Sequence, residues 1–102
     1  AYEDEFIDHS TMRWFTRSNR TLKSQEVQSI IQHKFPIHLF VRRDDLPDEG
    51  FTYLGEATPS DPQQAKMKGV KGKDSNVVTM KLHLEHPVPD TFFEYLHAKP
   101  ID

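Results

Sequence analysis

The sequence predicts a small α+β domain: a strongly curled, mostly antiparallel sheet or open β-barrel, with one packed helix over about residues 24–34 and a short C-terminal helix over about 90–97. Two patterns favour this class. Residues 76–83 alternate apolar and polar side chains, as a half-buried strand does. In the first helix, Val27, Ile30 and Ile31 instead recur at helical spacing. The length of 102 residues fits one domain with one core.

The first half of the chain indicates a strand, a helix and a second strand. The bulky run over residues 12–16 predicts a strand that enters a polar, basic loop. Either Ser24 or Thr21 can cap the helix that follows. Pro36 ends the helical region, and residues 37–43 alternate as a strand with both faces at least half covered.

The second half predicts a hairpin, a loop, a strand and the last helix. Asp90 offers an N-cap for that helix, and Pro87 and Pro89 separate it from the strand before it. The preceding elements are a turn over 44–50, a strand over 51–58 that Pro59–Pro62 closes, a lysine-rich loop over about 63–75, and the strand over 76–83.

Composition excludes several protein classes. Only 35% of residues are hydrophobic and the apolar runs are short, whereas a membrane span needs about 20 apolar residues, so we expect no membrane partner. The chain has 0 cysteines, which removes disulfides, thiolate metal sites and cysteine nucleophiles. The chain does not begin with Met, which suggests an excised fragment. We therefore expect a single domain over 1–102 with a flexible acidic lead-in over 1–10.

Charge is unevenly distributed although the formal net charge is only −3. Residues 11–43 carry seven basic side chains against one acidic side chain, Glu26. The lysine-rich loop adds Lys66, Lys68, Lys71 and Lys73. This asymmetry predicts one strongly positive face, which favours a polyanion-binding module. An ordinary solvated charged surface is the simpler alternative.

Catalytic and metal-binding patterns are weak. His83 and His86 are close in sequence, but residues three apart in a strand face opposite sides. The run from Lys68 to Lys73 lacks the spacing of a P-loop. We expect no catalytic residue, metal or cofactor in this domain. The best carboxylate set for magnesium, with a nearby lysine, has no spacing that enforces it: Asp44, Asp45, Glu56 and Lys81.

Aromatic residues interleaved with basic residues give a stronger signal. Base faces stack on aromatic rings while cations neutralise phosphates, as in a single-base pocket or a stacking platform. A small core also needs rings, and we assign Phe15 and Phe51 to it first. Trp14 and Tyr53 suit either role. The two interleaved groups are Arg13, Trp14, Phe15 and Arg17, and Arg42, Arg43, Phe51 and Tyr53.

Four motifs together resemble one known family. They are Met-Arg-Trp-Phe-Thr-Arg-Ser-Asn-Arg-Thr at 12–21, Ile-His-Leu-Phe-Val-Arg-Arg at 37–43, Phe-Thr-Tyr-Leu-Gly-Glu-Ala at 51–57, and Val-Val-Thr-Met-Lys-Leu at 77–82 with Pro-Val-Pro at 87–89. Over residues 11–97 the chain is similar to a domain of unknown function at the C-terminus of large bacterial helicase-nucleases, the SauUSI-like type IV (modification-dependent) restriction enzymes.

The resemblance implies a non-catalytic module that recognises double-stranded DNA with modified cytosine, 5-methyl or 5-hydroxymethyl. It implies that the helicase and nuclease domains of the same polypeptide, a cytoplasmic bacterial restriction endonuclease, then cleave with ATP. A curled sheet with an aromatic mouth favours extrusion of the base into a pocket. At the base we expect Trp14, Tyr53, Phe51, Asp44, Asp45 and Glu56. At the DNA backbone we expect Arg13, Arg17, Ser18, Asn19, Arg20, Arg42, Arg43, Lys68, Lys71 and Lys73.

A second class of function stays open from the sequence. The domain could dock on its own helicase without recognising a modified base, with its charged faces and rings filling an intramolecular interface. A stand-alone enzyme is the least favoured reading, because the chain lacks a catalytic constellation.

Overall fold

The computed structural model describes residues 5–43, 45–68 and 72–97 and confirms the predicted α+β class. Its five strands form one antiparallel sheet in the order β1-β2-β5-β4-β3, curled into a half-barrel. Neither helix in this part of the chain has the length and apolar character of a membrane span. In chain order the elements are β1 (Glu5–Asp8), β2 (Thr11–Phe15), α1 (Gln25–Ile31), β3 (Ile37–Val41), a 3-10 turn (Pro47–Glu49), β4 (Thr52–Lys68), β5 (Asp74–Leu84) and α2 (Asp90–His97).

The inner face of the curled sheet holds the core. Because side chains alternate along a strand, every second residue of β5 points to this face. Val27 of α1 has no exposed surface and covers one part of the inner face. The buried core residues of β5 are Val78, Met80, Leu82 and Leu84.

α2 spans the open side of the half-barrel. Phe93 meets Phe6 of β1 edge to face, with 6.1 Å between the ring centroids. Tyr95, two residues further on, lies under the Arg43 guanidinium beyond β3, 5.1 Å from it. α2 therefore contacts the sheet near both of its edge strands.

β4 and β5 form a longer hairpin than the sequence predicts. β4 continues to Lys68 and β5 begins at Asp74. The predicted closure of the strand at Pro59–Pro62 is therefore wrong, and so is most of the predicted loop over 63–75.

The two prolines are accommodated for local reasons. The pairing between β3 and β4 ends at Ala57, so at Pro59 no described strand pairs with the edge of β4 that faces away from β5. Proline is tolerated where its nitrogen need not donate to a neighbouring strand. The register then shifts between Ser60 and Gln63, and this β-bulge takes up Pro62.

Two further boundaries differ from prediction. α1 is shorter than 24–34 because the backbone enters the left-handed region at His33, with φ 53°. Ser24 is its N-cap, but the Ser24 hydroxyl accepts from the Thr21 N–H instead of from the helix. β1 falls inside the predicted flexible lead-in over 1–10 and pairs with β2, so its residues belong to the sheet.

Met80→Ala is expected to lower the free energy of unfolding by about 2–5 kcal/mol, because truncating a buried methionine loses transfer energy and leaves a cavity. Met80 is 1% exposed in the core cluster. Met67→Ala is the matched control, since Met67 is half-buried outside that cluster. Urea unfolding of both variants measures the difference, and equal losses would contradict the assignment of the core.

Candidate functional site

The outer face of the sheet carries exposed aromatic side chains at the β3–β4 end. Phe40, Phe51 and Tyr53 are 56%, 64% and 51% exposed. Among the described residues only Ile7 and Phe35 are large hydrophobics with similar exposure. Phe40 and Tyr53 lie on paired strands and Phe51 directly precedes β4. Three such rings at one end of the sheet indicate a candidate binding surface, because folded domains rarely leave contiguous apolar area in water.

A β-bulge places Tyr53 on this face. Phe40 pairs with Tyr53 and Leu39 pairs with Gly55, which leaves Leu54 without a partner on β3. Without the extra residue, strict alternation along β4 would turn Tyr53 inward. Gly55 has φ 101°, a backbone region that side-chain-bearing residues rarely adopt. The glycine thus permits the bulge on which the aromatic surface depends.

Short contacts hold the rings in place. The centroids of Phe40 and Tyr53 are 4.9 Å apart, with their planes inclined by 39°. The Tyr53 hydroxyl shares a 2.8 Å hydrogen bond with Nδ1 of His38. The Arg42 guanidinium lies over the Phe51 ring, 4.7 Å from its centroid, as a cation–π contact. These contacts orient the rings without any ligand.

Glu56 adds a hydrogen-bond acceptor to the surface. It pairs with His38 in the β3–β4 register and is exposed. Aromatic faces stack on nucleic acid bases, a cation attracts phosphate, and a carboxylate accepts from an exocyclic amino group. These three chemistries meet on one surface, which we call the aromatic platform: His38, Phe40, Arg42, Phe51, Tyr53 and Glu56.

The platform contains four of the residues that the sequence assigns to the site, Arg42, Phe51, Tyr53 and Glu56. The first assignment of Phe51 to the core is wrong, because most of its surface is exposed. Phe15 is half-buried and lies outside the core cluster, so its core assignment is also wrong.

Trp14 is separated from the platform. It pairs with Met80 in the β2–β5 register and packs half-buried against the core on the inner face. Tyr53 is on the outer face of the sheet. The structure therefore does not bring Trp14 and Tyr53 together around one base.

Asp45 and Arg43 bind each other. Nε of Arg43 donates to Asp45 at 2.9 Å, and Nη2 donates to the other carboxylate oxygen. Arg43 also donates to the Tyr95 carbonyl at 3.0 Å, and its side chain is only 9% exposed. The hydrogen bonds lower the pKa of Asp45 and raise that of Arg43. The pair fastens a turn to α2, so a base contact from Asp45 or a DNA-backbone contact from Arg43 would have to replace these hydrogen bonds, and both contacts stay predictions. Asp44 lies outside the described residues.

A cavity of about 260 Å³ lies beside the platform, between the ends of β3 and β4 and α2. Arg43, Glu49 and Tyr95 line it together with apolar groups. The Tyr95 hydroxyl donates to the Glu49 carboxylate, and this hydrogen bond raises the pKa of Tyr95. The polar groups of Arg43, Glu49 and Tyr95 already have partners in the domain, so a base in this cavity would compete with those contacts for its own hydrogen bonds. The platform rings are exposed and offer stacking without such competition.

Residues 1–96 match a family model, that of a domain of unknown function named DUF3427. The chain belongs to this family. No curated protein matches the chain. The match covers the whole sheet and the platform, which confirms the resemblance at the level of the domain. The helicase-nuclease context stays a prediction.

Two residues of the DUF3427 domain that we predict to contact the DNA backbone, Arg17 and Arg20, bind one carboxylate. Glu26 accepts from Nη2 of Arg17 at 3.0 Å and from Nε of Arg20 at 2.9 Å. These hydrogen bonds, that from Arg20 first, lower the pKa of Glu26. The Arg17 side chain is still 73% exposed. Arg17 can therefore contact a phosphate without disturbing the core.

The other residues that we predict to contact the DNA backbone are scattered over the surface of the DUF3427 domain. Arg13 lies on the outer face, 3.6 Å from Glu5. Ser18 and Asn19 form the exposed bend before Arg20, and Asn19 has φ 63°. Lys68 and Lys73 are exposed near the end of the β4–β5 hairpin. Lys71 lies outside the described residues.

The sequence missed two members of the platform and one polar cluster of three residues. His38 and Phe40 alternate with Leu39 in β3, and their exposure depends on which face α1 covers. Ser60 Oγ lies 2.7 Å from Nε2 of His83, and Nδ1 of His83 is 3.4 Å from Thr11 Oγ1. Within the described ranges, no three histidine or carboxylate side chains gather as metal ligands.

Glu26→Gln is expected to lower the thermal stability of the DUF3427 domain at neutral pH. A depressed carboxylate pKa stabilises the folded state above the ordinary value of 4.5 and loses that effect as pH falls through the folded pKa. The difference in Tm between wild type and variant should therefore shrink below about pH 4.5 and vanish at lower pH.

Thermal unfolding followed by circular dichroism between neutral and acid pH checks this expectation. Glu94→Gln is the control, because Glu94 is exposed on α2 without a described ion pair. A Glu26→Gln difference that persisted unchanged at the lowest pH would show that the ion pairs are not its source.

Proposed function

We propose that the domain is a DNA-binding recognition module that reads modified cytosine, 5-methyl or 5-hydroxymethyl, by stacking an extruded base on the aromatic platform. The observation that carries the proposal is the exposure of Phe40, Phe51 and Tyr53 on one face beside a cation and a carboxylate. Proteins that bind unstacked bases combine aromatic rings with cationic groups in this way.

The platform supplies a role for each part of the base. The rings of Phe40 and Tyr53 offer a stacking face, and an apolar ring edge suits a methyl group at C5. Glu56 accepts from the exocyclic amino group of cytosine, which thymine lacks. Arg42, held over Phe51, reaches toward the adjoining phosphate. A base with both the amino group and the methyl group is favoured.

The rest of the DNA contact is electrostatic in this proposal. Arg17, Arg20 and Lys73 contact phosphates and fix the position of the duplex without reading its sequence. Their contribution depends on salt, because binding releases counterions from the DNA. The resemblance of the motifs supports the wider context, in which helicase and nuclease domains of one polypeptide carry out the cleavage.

Tyr53→Ala is expected to weaken binding to a duplex with one 5-methylcytosine by about 5- to 150-fold, since stacking contributes about 1–3 kcal/mol per base. Tyr53→Phe keeps the ring and should retain most of the affinity. Phe35→Ala removes an exposed ring outside the platform and serves as the matched control.

Fluorescence anisotropy of the 102-residue chain, at two salt concentrations, measures this with duplexes that contain cytosine, 5-methylcytosine or 5-hydroxymethylcytosine. Tighter binding to a modified duplex at both salt concentrations, lost in Tyr53→Ala alone, supports the proposal. Equal and steeply salt-dependent binding to all three duplexes would reduce the domain to an electrostatic clamp. No binding would favour the docking function.

Glu56→Ala is expected to reduce discrimination against thymine. Thymine has the C5 methyl group but presents a carbonyl where cytosine has its amino group, so the Glu56 carboxylate repels it. We expect wild type to prefer 5-methylcytosine opposite guanine over thymine opposite guanine, and the variant to narrow that ratio by about 5- to 150-fold. Glu94→Ala is the control. An unchanged ratio in Glu56→Ala would exclude the carboxylate from base reading.

A further inference from the structure

The end of the β4–β5 hairpin projects from the sheet as a two-stranded ribbon. The last β2–β5 pair joins Phe15 to Thr79, and the last β3–β4 pair next to this end joins Ile37 to Ala57. Beyond both, residues 65–68 pair only with 74–77 among the described strands. Four residues of strand extend about 14 Å. We call these eight residues the ribbon.

The two faces of the ribbon differ in chemistry. In the β4–β5 register, Lys66 pairs with Asn76 and Lys68 with Asp74, and all four side chains are exposed. Paired residues share a face, so this face is polar. It continues the inner face of the sheet beyond the core, because Gln64 pairs with the core residue Val78 in the same alternation. The other face carries Ala65, Met67, Ser75 and Val77, which are half-buried or buried.

Positive charge surrounds the base of the ribbon. The Arg20 N–H donates to the Asn76 carbonyl at 3.1 Å, which holds the basic segment that includes Arg17 and Lys23 against β5. Gln64 fixes the same segment, because its side-chain oxygen accepts from the Leu22 N–H at 3.0 Å. Glu26 and Asp74 offset part of this charge. The balance suits a polyanionic partner.

The polar face carries side chains that phosphate binding alone does not require. Lysine reads guanine through its major-groove acceptors, asparagine reads adenine, and a carboxylate accepts from the amino group of cytosine. Lys68, Asn76 and Asp74 supply one group of each kind on one exposed face. The major groove of B-DNA admits a two-stranded β-ribbon.

We propose that the ribbon enters the major groove and that its polar face reads base edges, so that it sets the sequence context in which the domain binds. This inference rests on the proposed function, because it assigns a second reading element to the same DNA. The aromatic platform would read the modified base, and the ribbon would read its neighbours.

The dimensions of the domain limit where those neighbours lie. Platform and ribbon occupy opposite ends of β4, and the longest dimension of the chain is 39 Å. At about 3.4 Å per base pair, the ribbon meets DNA within about 11 base pairs of the modified base. That is close to one helical turn.

A selection experiment tests the assignment. Duplexes with one central 5-methylcytosine and randomised flanks are selected on wild type, Asn76→Ala and Lys34→Ala, then sequenced. Wild type should enrich a sequence within about 11 base pairs of the modified base, and Lys34→Ala, which removes an exposed lysine far from the ribbon in sequence, should enrich the same one. Asn76→Ala should lose that preference at one position and bind the selected duplex about tenfold more weakly.

Groove-specific probes test where the ribbon binds. Replacing purines of the selected flank by 7-deazapurines removes an acceptor from the major groove only. This change should weaken wild type about tenfold and leave Asn76→Ala unaffected at the adenine it reads. Netropsin, which occupies the minor groove, should not displace the domain from that flank. Displacement by netropsin with no effect of 7-deazapurines would overturn the major-groove assignment.

The two proposals fail separately. If wild type prefers 5-methylcytosine but wild type and Asn76→Ala enrich the same flanks, or none, the ribbon inference is overturned and the proposed function stands. If wild type binds none of the duplexes, both are overturned, and circular dichroism of each variant confirms that the comparison is between folded proteins.

Discussion

The pairing of β5 with β2 on one side and β4 on the other is the constraint on which the fold depends. β5 supplies four buried core residues to the inner face, and its register fixes which residues of both neighbours point inward. Because side chains alternate along a strand, a shift of one residue would exchange the two faces. The same register therefore places the hydrophobic core on one face of the sheet and the exposed platform on the other.

Two β-bulges in β4 make this arrangement compatible with the chain. The bulge at Leu54 turns Tyr53 outward beside Phe40, and the bulge between Ser60 and Gln63 keeps the outer side chains outward beyond the prolines. Each costs local pairing. Regular pairs flank both bulges along β4, with β3 on each side of the first and with β5 on each side of the second. The exposed platform and the first of these irregularities thus coincide, and strained backbone is common at functional sites.

The sequence predicts the elements well where the signal is local. The alternation in 76–83 and the helical spacing of Val27, Ile30 and Ile31 both match the structure, because burial of one face dictates each pattern. The sequence does not predict that β4 continues past Pro59, since that depends on the strand being uncovered on one side. Local residue preferences carry no such information.

The candidate site was predictable only in part, because some of its features depend on tertiary contacts. Tyr53 and Glu56 could be proposed from residue type, whereas the exposure of Phe40 follows only from the packing of α1 and the core on the opposite face. Arg43 and Asp45 resemble free charged residues in the sequence. Arg43 also donates to a carbonyl of α2, about fifty residues further along the chain, and no local pattern indicates that contact.

The prolines of β4 also affect how the molecule behaves at high concentration. From Thr58 onward β4 has one side that no described strand covers, and a long uncovered strand is a template for pairing with another chain. Pro59 and Pro62 cannot donate from their nitrogens, and Lys66 and Lys68 repel a second copy of the same strand. The domain can therefore keep an extended edge in water without seeding aggregation.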